Sequence, residues 1–164
     1  MSMTHYMQLL AENQPWNLLI FMAVPIILAE TVVVTELYIL YTRNFSGIVR
    51  WVNKWAGILV GFYFAIVFVY LLVTAAVPLT KGGGWRGWID VSAVGFYLSG
   101  VIPLLGIALL EVGVIARDRS PEQKLMIHAS LVALFLVLGH VAMVFGMLDP
   151  ALAGGTVAMP MHGH

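Results

Sequence analysis

The chain has 164 residues, 61% of them hydrophobic and 10% charged, with a formal net charge of zero and no cysteine. A soluble domain carries about 25% charged residues, so a water-soluble fold is excluded. Neutrality argues against a nucleic-acid partner. The lack of cysteine excludes disulfides, iron–sulfur clusters, thiolate metal sites and cysteine nucleophiles.

The N-terminal stretch holds Met1, Met3 and His5 before any long apolar run. Four runs then follow, over about 17–42, 55–77, 89–116 and 125–148. A span needs roughly 20 residues at ~1.5 Å rise each, and all four reach that. Helices are the only spanning form for such segments, because an open sheet leaves its backbone unsatisfied in lipid. The expected fold is all-α: four transmembrane helices in an up-down-up-down bundle over 1–150, then a flexible Gly/Met/His tail over 151–164. The first run is long and has no basic residue before it, so it reads as a retained span and not a cleaved signal.

Basic residues set the topology. Arg43, Arg50 and Lys54 separate runs one and two, and Arg117, Arg119 and Lys124 separate runs three and four. Only Lys81 and Arg86 lie between runs two and three. The positive-inside rule makes the first and third connections cytoplasmic and both termini periplasmic, in a bacterial inner membrane. All five tryptophans (Trp16, Trp51, Trp55, Trp85, Trp88) flank span starts, as an interfacial belt does. Gly57 and Gly61 in run two predict close helix packing, as do Ser92, Gly95, Ser99, Pro103 and Gly106 in run three. Pro25 and Pro103 predict kinks.

Five ionisable residues fall inside these runs: Glu30, Glu36, Glu111, His128 and His140. Such residues are costly in lipid and must face protein or water, pair, or be neutral. Glu36, Glu111 and His128 lie at one depth, about 10 Å from the cytoplasmic edge, with Lys54 at the rim. They read either as an inner exit and proton relay, or as ion pairs with Arg43, Arg117 and Lys124. Glu30 and His140 lie near mid-depth without a compensating charge nearby in sequence. Glu30 and Glu36 point about 120° apart on the wheel, as do His128 and His140. Helices one and four therefore need wide protein-facing surfaces, which argues for a homo-oligomer, a kink or a water-filled cleft.

Metal chemistry is one reading. His140 with Met143 one turn on, Glu30, and the termini (His5, Met159, Met161, His162, His164) supply imidazole and thioether ligands suited to Cu, and imidazole also suits Ni, Co or Zn; Fe is a further candidate. No helix carries the Glu-x-x-His pair of a di-iron bundle. Carboxylate–imidazole proton relay is a second reading, compatible with the first. A haem-bearing electron-transfer subunit is a third, but both intramembrane histidines lie on run four, so bis-His ligation within one chain is not available. An accessory subunit of a membrane complex is a fourth. Protease signatures such as H-E-x-x-H are absent, so an enzyme is not expected.

The stretches Gln14-Pro15-Trp16-Asn17, Ala29-Glu30-Thr31 through Glu36, Arg119-Ser120-Pro121-Glu122-Gln123-Lys124, and Gly139-His140 through Pro150 carry a likeness. They resemble a family of short four-helix inner-membrane proteins of Gram-negative bacteria labelled only "permease". The resemblance implies a location and a helix count, with no substrate and no assigned site residues. The sequence expectation is a permease that moves or handles a small cation, a transition metal above others, with proton coupling.

Overall fold

The computed structural model describes residues 3–153. A short helix α1 (His5–Ala11) precedes four helices long and apolar enough to cross a membrane: α2 (Trp16–Thr42), α3 (Ile48–Gly82), α4 (Trp88–Val112) and α5 (Pro121–Met147). The protein is thus an all-α membrane protein. α3 begins seven residues before the apolar run that marks it in sequence, so its first two turns carry Arg50, Asn53 and Lys54. α4 stops at Val112 because Gly113 takes a left-handed conformation (φ 83°), and Arg117 lies beyond the helix. α5 opens on a capping box, Ser120 with Gln123, followed by Pro121 at the first helical position.

Two ends can be told apart. The connections 43–47 and 113–120 share the basic end; α1, the 83–87 connection and the C-terminal end of α5 share the far end. α3 packs along both α2 and α4, and α4 packs along α5, whereas α2 and α5 barely touch. The core lies between α2, α3 and α4 around Val32, Val60, Phe64, Leu104 and Ile107. Gly61 makes the α3–α4 seam possible: a Cβ there would sit 2.4 Å from the Leu104 carbonyl oxygen and 2.5 Å from Ala108 Cβ. Gly106 lies against Leu131 of α5, but Gly95 faces open space, so the small-residue stripe of α4 packs only in part.

α2 carries a π-turn whose freed carbonyls its neighbours satisfy. Residues Leu19–Ala23 form a π-turn in which the Val24 N–H reaches Leu19, bypassing the Ile20 carbonyl. Pro25 has no N–H, which frees the Phe21 carbonyl. Tyr63 of α3 donates to Ile20 O at 2.9 Å, and Tyr97 of α4 donates to Phe21 O at 2.5 Å. A freed carbonyl without a partner in an apolar setting costs about 1–3 kcal/mol. Tyr97→Phe is therefore expected to lower stability by about that amount, read as a drop in the thermal midpoint of detergent-solubilised protein. An unchanged midpoint would show that the hydroxyl does not hold the π-turn.

At the far end, Asp90 is fully buried and ties α1 to α4. It accepts the His5 backbone N–H at 2.7 Å, His5 Nδ1–H at 2.5 Å and the Arg86 N–H at 3.2 Å. Arg86 in turn donates to Met3 O and Gln8 Oε1, and Thr4 Oγ1 donates to Gly146 O at 2.9 Å. No sequence pattern pointed to α1 as a separate helix.

Candidate functional site

At the basic end each of the four spans places a polar side chain in one closed ring. Glu36 comes from α2, Arg50 and Asn53 from α3, Glu111 from α4 and His128 from α5. Arg50 forks onto both oxygens of Glu111 at 2.8 Å each and donates to Asn53 Oδ1 at 2.8 Å. Asn53 Nδ2 donates to Glu36 Oε2 at 3.2 Å and is shared with Thr35 Oγ1 and Val32 O. His128 closes the ring between the two carboxylates: Nδ1 lies 2.9 Å from Glu36 Oε2, and Nε2 lies 3.4 Å from Glu111 Oε1. These two contacts are close but misaligned, so neither is a hydrogen bond, and Glu36 Oε1 is also buried without a partner.

Local sequence explains the convergence. On α3, Arg50, Asn53, Gly57 and Gly61 fall at i, i+3, i+7 and i+11, along one side of the helix, where Arg50, Gly57 and Gly61 meet α4 and Asn53 reaches α2. Gly57 keeps the space open: a Cβ there would meet Ile107 at 2.9 Å and lie 3.8 Å from both Glu111 Cγ and His128 Nε2. Glu36 and His128 are each 2% exposed. Two carboxylates and one guanidinium leave the ring one negative charge when His128 is neutral, and none when His128 carries a proton. A pocket of about 240 Å³ opens from it past Ile39, Phe45 and Leu125 toward Arg119 and Lys124. Counting those two cations, the pocket lining is net positive.

Glu36, Glu111 and His128 are thus brought together as the depth count predicts. Their partners differ from the sequence expectation. Glu111 is held by Arg50, not Arg117, because α4 ends before Arg117. Glu36 is held by Asn53 and lies beside His128, not Arg43, which is the left-handed C-cap of α2. Lys54 is exposed and stands outside the ring. Arg50 and Asn53 were the site residues that sequence reasoning missed. An Asn on the glycine face of an apolar helix, one turn after an Arg, is the signal that could have found them.

Glu30 and His140 are both exposed, and both line a second, larger groove of about 540 Å³ between α2 and α5. α1 lies over its far end through Tyr6, Met7 and Leu10. Glu30 lies at the middle of α2; His140 lies seven residues from the end of α5, farther out than mid-depth. His140 Nδ1–H donates to Leu136 O at 2.6 Å. Among the described residues Glu30 has no hydrogen-bond or ion-pair partner. Met143 lines the same groove.

Among the described residues no three His, Asp or Glu side chains form a metal-binding group. The ring shows why: its carboxylates flank opposite edges of one imidazole, so the three cannot converge on a point. His5 Nδ1 is engaged by Asp90. Met159, Met161, His162 and His164 lie outside the described residues.

Residues 1–162 match the model of a family of unknown function (DUF6803), and the chain belongs to that family. No curated protein and no solved structure matches it.

Proposed function

We propose that the protein is a permease of the bacterial inner membrane that handles a cation with proton coupling. Arg43, Arg50, Lys54, Arg117, Arg119 and Lys124 gather at one end, which supports a cytoplasmic basic end and periplasmic termini. The observation that carries the reading is His128, buried between two carboxylates that a single guanidinium cannot neutralise. At a few ångströms in a low-dielectric setting, opposite charges interact by several kcal/mol. One proton on His128 balances the ring; its loss unbalances it. Loading and unloading that proton therefore alters the contacts that join all four helices, which is what a coupled carrier requires.

Glu30 and His140 serve as the cargo pair, reached from the groove. The net positive lining at the basic end suits a titrating gate better than a passage for hydrated metal ions. A transition-metal cargo draws its support from the Met159–His164 segment and from His140 and Met143, with Glu30 opposite. Haem finds one histidine in the groove, His140, and His128 is held between the carboxylates of the ring. In proteoliposomes, Glu30→Gln and His140→Ala are expected to reduce cargo uptake at least tenfold while leaving the protein folded, since both side chains are exposed. Uptake unchanged in both variants would remove this pair from the cargo site.

A further inference from the structure

The groove itself says what kind of cation it suits. We infer that it binds a lipophilic organic monocation, admitted sideways from the bilayer between α2 and α5. This deepens the reading of Glu30 and His140 as a cargo pair and rests on it.

Three observations carry it. First, the groove opens laterally, because α2 and α5 meet at the basic end through Glu36 and His128 but barely touch elsewhere. Its outer end is covered by α1, so the open approach is from the membrane. Second, its walls are apolar and rich in rings: Tyr6, Phe21, Phe64, Phe96, Tyr97 and Phe135 all line it. At about 540 Å³ it falls within the ~300–1,000 Å³ range of small-molecule sites. Third, the one carboxylate in its lining is Glu30, which has no partner among the described residues, and the one imidazole is His140.

That chemistry discriminates between cations. A divalent metal needs four to six oxygen, nitrogen or sulfur ligands to replace its water, on the general pattern of such sites. Here the lining offers one carboxylate and one imidazole, on α2 and α5, beside the soft thioethers of five methionines, and no three His, Asp or Glu side chains among the described residues form a metal-binding group. An organic cation brings its own apolar surface, buries it against the walls, and needs only one carboxylate. Aromatic faces add cation–π attraction. A bare carboxylate at mid-depth is costly in lipid, and a monovalent organic cation neutralises it with no ligand sphere to complete.

The test is equilibrium dialysis of tetraphenylphosphonium against the full-length protein in detergent. The same-shaped anion tetraphenylborate serves as competitor. Saturable binding of tetraphenylphosphonium is expected, with at least a tenfold loss in Glu30→Gln, a partial loss in Glu30→Asp, and no competition by tetraphenylborate. Thermal midpoints of both variants should match the parent, because Glu30 is exposed and unpartnered. Absence of saturable binding overturns the inference, as does binding indifferent to Glu30 or competition by the anion. So does a dimer cross-linked through Ile26→Cys and Met143→Cys at the groove walls, with Glu30 and His140 kept and no tetraphenylphosphonium bound, which would give the groove to a second copy. Glu30-dependent binding with no proton movement on transport would keep this site and sink the coupling. Proton-coupled metal uptake without tetraphenylphosphonium binding would do the reverse.

Discussion

An Arg50→Ala variant is expected to lose about 2–3 kcal/mol of stability. Removing one partner of a buried ion pair costs about 3–5 kcal/mol, because the other charge is left without compensation. Glu111 is that other charge, with its side chain 4% exposed, but the Arg50 side chain is 34% exposed and part of its contribution is screened by solvent. The value is discounted accordingly. Asn53 Oδ1 loses its donor in the same variant, so the loss reaches Glu36 through the ring. Replacing both partners, Arg50→Met with Glu111→Leu, should recover most of the stability, since a buried pair can be exchanged for apolar packing at little net cost. Thermal or denaturant unfolding in detergent reads both. Equal losses in the single and the double variant would mean that Arg50 and Glu111 are not coupled.

The second large effect is expected at the α3–α4 seam. Gly61→Leu should destabilise by about 3 kcal/mol or more, and Gly61→Ala by about 1–3 kcal/mol. The first added carbon already falls 2.4 Å from the Leu104 carbonyl oxygen, which is backbone and cannot rotate away. The helices must separate, and separation also pulls Glu111 away from Arg50 about three turns along α3. Gly95→Ala is the control: nothing lies within 4 Å of its added carbon, so a slight gain from helix propensity is expected. If Gly61→Ala and Gly95→Ala unfold at the same temperature, the seam is looser than described.

Much of this was legible in the chain, for physical reasons. Lipid demands long apolar helices, so hydropathy alone shows four spans, and the tryptophans mark their starts. Depth counted from basic residues brings Glu36, Glu111 and His128 to one level. The wheel angles separate them from Glu30 and His140, and burial follows that split: the first three side chains are enclosed, the last two face a groove. What was hidden is the other half of the ring. Arg50 and Asn53 lie in the two turns of α3 that hydropathy assigns to a connection, because polar residues there mask the helix. The partner of Glu111 could not be read from sequence distance either, since Arg117 is six residues away and Arg50 is 61, yet Gly113 ends α4 before Arg117 can turn back. The tie between His5 and Asp90 is likewise a long-range contact with no local pattern to announce it.

The ring also orders the functional claims. A purely structural knot would have little need of an ionisable group between the carboxylates; a neutral amide in the place of His128 would serve as well. His128 is the member whose charge state completes the balance, and His128→Gln keeps a polar bridge of similar reach while removing the titration. The most direct test is proton flux into proteoliposomes, driven by an outward cation gradient and read with an entrapped pH-sensitive dye. The account predicts flux in the parent protein and its loss in His128→Gln, with the thermal midpoint of that variant little changed. Flux that survives in a folded His128→Gln variant, or none in the parent across metal and organic cations alike, would contradict it.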